Sequence, residues 1–395
     1  MKRLVAKNIL KKAENNIYSF GCGDASDKVS RINARFGLGK IIYSLDKINV
    51  NTAGVICVFT PDGGITRNKE RWQSGFSYGC FIRWPDVNEC GKLLAFPQIK
   101  PNACGMLVAQ INKIPKIKTL CNRLHDIEKE GLKVESDKLK LNVGVSNHFI
   151  EVCKVKESKT TKVPQSANFA IIHTSPSEFK SELYDFIKWH EAGGQWIETP
   201  FGKFLVLEDE SAEKYLKKYY EIEAFSIKKR LLLAKKLFGD IKVISNPTHQ
   251  GLYGRNEARL GVYKVRSKEL YPVAFRWNLE VYLVKPTSNI SIDVLKDQGI
   301  FQKAVDSGHL DILASADMLP HGGGYHIPFP ANGWKVMKNG RKRLYMNSVN
   351  GNDFVFSSPS EIPYFYRGLK VADKIDNLKL GTVVAKLKQL YTLKY

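Results

Sequence analysis

The stretch Ile150-Glu-Val-Cys-Lys-Val155, with Phe169-Ala-Ile-Ile-His173 after it, decides the fold class. Each is a short apolar run, rich in β-branched and aromatic residues, that meets polar chemistry at one end, and each predicts a strand. Working outward, Ile41-Ile-Tyr43, Gly54-Val-Ile-Cys-Val-Phe59, Cys80-Phe-Ile-Arg-Trp84 and Met106-Leu-Val-Ala109 read the same way. Further strands are expected at 261–265, 272–277 and 280–284. Residues 115–135 predict a charged helix. The clearest helix is 210–238, where Leu216, Tyr219, Tyr220, Ile222, Phe225, Ile227, Leu231 and Leu232 approximate one stripe and Gly239 supplies the stop. A helical tail is expected over 371–391. Strands and helices come mixed, without regular βαβ alternation. The expectation is therefore one large α+β domain over 1–395, with layered, mostly antiparallel sheets and flanking helices.

Composition narrows the function classes. The chain has 395 residues, 43% apolar and 25% charged, which is globular and not disordered. No run approaches eighteen uninterrupted apolar residues, so no membrane-spanning helix and no membrane partner is expected. The basic start breaks into lysines too early for a secretory leader, which predicts a cytoplasmic protein; a monomer is expected. Sixty-one basic against thirty-nine acidic side chains leave a net charge of +22, spread along the chain, a field that draws polyanions. Seven cysteines at irregular gaps form no C-x-x-C pair, which argues against a disulfide framework or a zinc knuckle and for reduced thiols. The Walker pattern, K-x-D-G, H-E-x-x-H and G-x-S-x-G are all absent; Gly37-Leu-Gly39-Lys40 lacks the first glycine and the hydroxyl of a phosphate loop.

Four histidines sit where strands meet turns. His148 enters one strand and His173 ends another; His249 follows Asn246-Pro-Thr, and His321 opens His-Gly-Gly-Gly-Tyr325. Cys104, in Ala103-Cys-Gly-Met106, has the same placement. Loops on a rigid scaffold can converge, and imidazole with thiolate suits a soft divalent ion. The positions are far apart, so a shared site must be assembled by tertiary folding.

Read in order, these segments resemble the RtcB family of RNA-splicing ligases. Trp84-Pro-Asp-Val-Asn88 is similar to that family's M-P-D-V-H, Pro101-Asn-Ala-Cys-Gly-Met106 to D-x-G-C-G-M, and Asn147-His-Phe-Ile-Glu151 to N-H-F-x-E. His173-Thr-Ser-Pro-Ser177 resembles H-S-G-S-R, and Ser226–Arg230 resembles A-x-x-N-R. His249-Gln250 stands for H-N, and His321-Gly-Gly-Gly-Tyr325 for H-G-A-G-R. Ser360-Glu-Ile-Pro-Tyr-Phe-Tyr-Arg367 resembles E-x-P-x-A-Y-K, and the segment 387–395, with Lys394, resembles the family's terminal helix and strand. The resemblance covers roughly residues 80 to 395, and residues 1–75 match the family less.

The resemblance implies an RtcB-like fold and a GTP- and Mn²⁺-dependent RNA ligase with two metal ions. Cys104 would bridge them, with His148 on one ion and His173 and His249 on the other. His321 would attack the α-phosphate of GTP and carry GMP. Asn147, Glu151, Tyr366 and Lys394 match positions that contact the guanylate. The implied substrates are RNA ends, a 3′-phosphate or 2′,3′-cyclic phosphate and a 5′-hydroxyl, from tRNA halves or broken RNA, and an archease-like activator is a possible partner by the same resemblance. The sequence also departs from the pattern: the family's metal-binding Asp falls on Pro101, leaving Asn102 or Asp86 as oxygen donors, and its arginine after the glycines is Tyr325. A catalytically worn RNA-binding relative and a GMP-transferring end-modifying enzyme are the alternatives. The basic stretch 335–343 reads as an exposed hairpin turning at Asn339-Gly340, Gly21-Cys-Gly-Asp24 as a structural turn, and His326 as a bystander of His321.

Overall fold

The computed structural model describes residues 2–339 and 342–395, so the predicted turn at Gly340 lies partly outside the described residues. Its two flanking strands, Lys335–Asn339 and Lys342–Val349, do pair antiparallel, and Asn352–Phe356 adds a third strand.

Alternation organises the centre of the molecule. Strand Asn168–Thr174 lies between Cys104–Ile111 and Phe149–Ser158, antiparallel to both. Along these three strands Met106, Val108, Cys153, Phe169 and Ile171 enter one apolar cluster, while Leu107, Ala109, Ile150, Val152, Ala170 and Ile172 enter another on the opposite face. Both faces are covered, which is why the runs read as almost continuously apolar. These strands belong to a twelve-stranded sheet whose members run from Ile17–Ser19 to Gly381–Leu393. Among the described residues its pairings are antiparallel except that of Ile17–Ser19 with Ile56–Gly64. The architecture is α+β.

The long helix spans Asp209–Phe238 and ends at Gly239, whose φ of 77° suits a residue without a Cβ. Its Phe225, Leu233, Ala234 and Leu237 close the second cluster, so the helix lies across the back of the three central strands. Charged helix Ile117–Glu130 joins the same cluster through Leu120, Leu124 and Ile127.

Two expectations are corrected. Ile41-Ile-Tyr43 lies in the helix Ala25–Lys47, not in a strand. Gly37 and Gly39 are accommodated there because the helix packs too closely for side chains: a Cβ on Gly37 would fall 2.5 Å from the Gly75 carbonyl oxygen. The tail is not one helix. A short helix, Leu369–Asn377, is followed by the thirteen-residue strand Gly381–Leu393, which carries β-branched Thr382, Val383 and Val384 and pairs with Phe149–Ser158 and Val281–Pro286. No helix among the described residues is long and apolar enough to cross a membrane.

Candidate metal centre

Cys104 is the first residue of its strand, and the chain reaches it through left-handed turns at Lys100 and Ala103, with φ of 59° and 52°. The Asn102 side-chain oxygen accepts from the Cys104 amide at 3.1 Å, so this carboxamide shapes the turn. Asp86, the other oxygen donor considered, caps the short helix Val87–Cys90 and accepts from the Asn88 amide. The seven cysteines are all free thiols.

Period-two alternation puts Cys104, His173 and Glu151 on the same face of the central strands as Met106, Ile171 and Cys153. The cross-strand register then places Met106 and Phe149 opposite His173. His249 arrives through an irregularity: strand Thr248–Tyr253 slips register against Cys104–Ile111 between Thr248 and Gln250. Such a bulge re-aims one side chain at the cost of a ladder step. His321 follows the strand Met318–Pro320, which pairs with Val262–Lys264.

These elements bring the five sequence-predicted residues together. The Cys104 Sγ lies 3.1 Å from His173 Nε2 and 3.4 Å from His148 Nε2, and the Nε2 atoms of His173 and His249 are 3.3 Å apart. Ligand atoms of Cys104, His173 and His249 all lie within 4.8 Å of one another. The His249 ring stacks on that of His321 at 4.4 Å between centroids, and His173 and His321 are 6.5 Å apart by the same measure. Cys104, His173 and His249 are buried, whereas the side chain of His321 is 17% exposed and stands at the mouth of the cluster.

Hydrogen bonds set the tautomers. A backbone carbonyl can only accept, so His148 Nδ1 donates to Asn142 O at 3.2 Å and His173 Nδ1 to Asn147 O at 3.0 Å. Both rings therefore turn a lone pair on Nε2 towards the sulfur. His321 Nδ1 faces Gly261 O at 2.6 Å and Asp62 Oδ2 at 2.8 Å, which leaves its Nε2 unprotonated in the same way while the ring is neutral. Asp62 is itself held by Thr60, whose hydroxyl donates at 2.7 Å. This residue escaped the sequence reading, because Asp62-Gly-Gly looks like any turn. Gly261 is required beside it: its φ is 79°, and a Cβ there would sit 2.9 Å from His321 Cε1.

The residues present fit a divalent cation. With His173 Nε2 carrying a lone pair, His249 must either present a second lone pair to it or donate and leave Nδ1 bare. Its Nδ1 is buried with no partner among the described residues, so each choice leaves a nitrogen unsatisfied. A cation among Cys104, His173 and His249 would take up the facing Nε2 lone pairs, leaving only the His249 Nδ1–H without a partner. Burial holds His148 down to about 4 and His173 and His249 well below the usual imidazole range, so these rings are neutral, the ligand form, near pH 7. Burial also pushes the Cys104 thiol up to about 12, with Arg230 opposing. Arg230 is buried behind the sulfur, bonded to Asn246 Oδ1 at 2.5 Å and Ser226 Oγ at 2.9 Å, and Gly105 is a glycine because a Cβ would meet the guanidinium at 2.6 Å. No carboxylate belongs to the ligand group, which favours softer ions over magnesium or calcium. His148 shares the sulfur but lies outside the group of three, so one cation position is better furnished than the second.

The nucleotide candidates fall in two places. Strand Gly381–Leu393 sets Thr392 opposite Glu151, and Lys394 Nζ donates to Ser146 O at 3.4 Å, next to Asn147. Glu151 is buried, accepts from Thr392 at 3.2 Å on one oxygen and leaves the other unpartnered; burial pushes it up to about 7. Tyr366 stands apart from these, paired with Tyr325 in a two-stranded ladder whose rings are 5.2 Å apart. The ladder reaches the glycine run through the Arg367 amide, which donates to Gly324 O at 3.3 Å. The three glycines first serve packing: Cβ atoms on Gly322 and Gly323 would strike the carbonyls of Ala274 and Phe275 at 2.8 and 2.6 Å. Asp24 is more than a turn residue, because it holds Arg367 by two bonds of 2.7 and 2.8 Å and His326 Nδ1 at 3.0 Å. His309 is a buried strut between Tyr18 and Ala53.

Compared with protein-family models and with curated proteins, the chain matches none.

Proposed function

We propose that this chain is an RNA ligase of the RtcB type, which passes GMP from GTP through His321 to an RNA 3′-phosphate and then seals that end to a 5′-hydroxyl. The observation that carries the reading is the convergence of Cys104, His148, His173, His249 and His321, drawn from five separated segments, into one cluster with His321 outermost. Ordered family-like motifs and a net charge of +22 support it.

In this mechanism Asp62 and the Gly261 carbonyl hold the Nδ1 proton of His321, so that the Nε2 lone pair faces the α-phosphate. Nε2 forms a bond to phosphorus as the bond to pyrophosphate breaks, and Asp62 stabilises the positive charge that develops on the ring. A divalent cation held by Cys104, His173 and His249 would offset charge on the phosphate when bound. Glu151, with one oxygen unpartnered, and Lys394, beside Asn147, would orient the guanine. An RNA 3′-phosphate oxygen then takes the GMP from His321, and a 5′-hydroxyl displaces it to form the phosphodiester.

The test is incubation with α-labelled GTP and Mn²⁺, followed by acid. An acid-labile label on the unaltered chain, absent from His321→Ala, is the expected result. Absence of label from the unaltered chain with every divalent metal tried overturns the proposal. One observation favours a second reading, an RNA-binding relative without ligation: the ligand group lacks a carboxylate, since Pro101 stands where the family has Asp. That reading predicts RNA binding unaffected by His321→Ala and no label.

A further inference from the structure

We propose that a basic pocket on the flank of helix Ala25–Lys47 is a second anion site, holding a backbone phosphate of the RNA strand whose end lies at His321. This inference rests on the reading above that the chain acts on RNA. The pocket has a volume of about 250 Å³ and is lined by Lys28, Arg31, Arg35 and Lys303, with Glu14 as its one carboxylate. Glu14 is committed to Arg35 at 3.0 Å, and Arg31 reaches Asp27 below it at 3.4 Å. The Nε atoms of Arg31 and Arg35 are buried and turned from the pocket, so what these side chains offer an anion is the rest of each guanidinium, Arg31 beyond its Nη2 contact with Asp27 and Arg35 beyond its Nη1 contact with Glu14. Lys303 is anchored over the Tyr18 ring at 4.7 Å and donates to Ile17 O at 2.7 Å, which fixes its charge at the pocket wall. Four cations set against two carboxylates, Glu14 in the lining and Asp27 below it, leave a net positive charge that suits an anion of more than one oxygen. The volume is many times the roughly 10–15 Å³ that seats one water, enough for a phosphate with part of its sugar.

The position of the helix selects the source of that phosphate. Asp24, its cap, binds Arg367 and His326 next to the His321 loop. From there Lys28, Arg31 and Arg35 follow on successive turns, so the basic face leads away from His321 over roughly 16 Å at 1.5 Å per residue. A single strand ending at His321 and lying along this face enters the pocket at Lys28.

The test measures binding of a ~12-nucleotide, fluorescent, single-stranded RNA with a 3′-phosphate to the full chain over a range of salt. The Arg31→Gln/Arg35→Gln variant is expected to bind at least tenfold more weakly, with a salt slope shallower by about 0.7 for each phosphate lost. Lys28→Gln, an exposed change that leaves the interior untouched, is expected to bind a few-fold more weakly. Lys214→Gln/Lys217→Gln, on the exposed face of helix Asp209–Phe238, should stay within twofold of the unaltered chain. Binding by both pocket variants within twofold of the unaltered chain overturns the inference. So does loss of inorganic phosphate or GMP binding in the double variant with RNA binding intact, which would mark a site for free anions. Intact His321 labelling beside pocket-independent RNA binding sinks this inference alone. Pocket-dependent RNA binding without any label sinks the ligase reading and leaves the second site standing.

Discussion

Asp62 Oδ2 lies 2.8 Å from His321 Nδ1, and the two residues are 259 positions apart in the chain. The carboxylate has no exposed side-chain surface and is braced by Thr60. It fixes which ring nitrogen stays bare and, in the proposed mechanism, would stabilise the ring as charge develops. Asp62→Asn should therefore slow His321 labelling by about 10²-fold or more, with substrate KM changed far less than kcat. A purely structural role would instead lower the melting temperature and leave the rate per folded molecule unchanged.

Cation binding should follow the sulfur. Cys104→Ala and His249→Ala are each expected to reduce bound divalent metal, measured by elemental analysis, from about one ion per chain to near zero. His148→Ala, which removes the ring outside the group of three, should retain most of that ion. Zinc should displace manganese in competition, given a thiolate and imidazole donor set. A chelator should lower the melting temperature of the loaded chain, since an ion at 100 times its Kd contributes about 2.7 kcal/mol.

Gly261→Ala tests the seat of His321. The left-handed backbone costs alanine about 1 kcal/mol or more, and the new methyl presses on the ring at 2.9 Å. Labelling should fall by a larger factor than stability explains, and a crystal structure of the variant should show the imidazole turned from Asp62. An unmoved ring with full activity would contradict the packing described.

Lys40 gives a pH signature. It is buried in helix Ala25–Lys47, donates to Ser74 O at 3.2 Å and has Arg343 for a charged neighbour, so burial holds it down to about 7. Its folded value is below the unfolded one, near 10.4 for a free lysine. Between the two the unfolded chain binds more protons, and stability should rise with pH across roughly 7 to 10. Lys40→Met is expected to stabilise the chain by on the order of 1–3 kcal/mol at pH 7, and urea unfolding should show that gain shrinking towards pH 10.

Much of the centre was legible because its physics is local. Phe169-Ala-Ile-Ile-His173 and Ile150–Val155 are compact strand patterns, and the stripe from Leu216 to Leu232 has the helical period, so each element followed from its own residues. Ile41-Ile-Tyr43 misled because a helix buried on several sides loses its polar face and looks like a strand. The 371–391 region misled because lysines at even spacing suit an exposed helix as well as the outer face of a half-exposed strand inside a sheet. The five cluster residues were found by polar chemistry at strand ends. Asp62 could not be, since what makes it functional is a carboxylate–imidazole contact made only by the folded chain. Arg230 was noted within its motif, yet its place behind the Cys104 sulfur depends on Gly105, whose meaning appears only in three dimensions.

The strand Gly381–Leu393 has a consequence for biogenesis. It inserts between Phe149–Ser158 and Val281–Pro286, both of which are synthesised earlier. Until the ribosome has made that insert, two strand borders stand open in the nascent chain, and Glu151 lacks its Thr392 neighbour. Unsealed borders of this kind recruit foreign strands. Translation that stalls before residue 381 should therefore yield a sticky, inert product in need of chaperone cover, and not a weaker version of the finished protein.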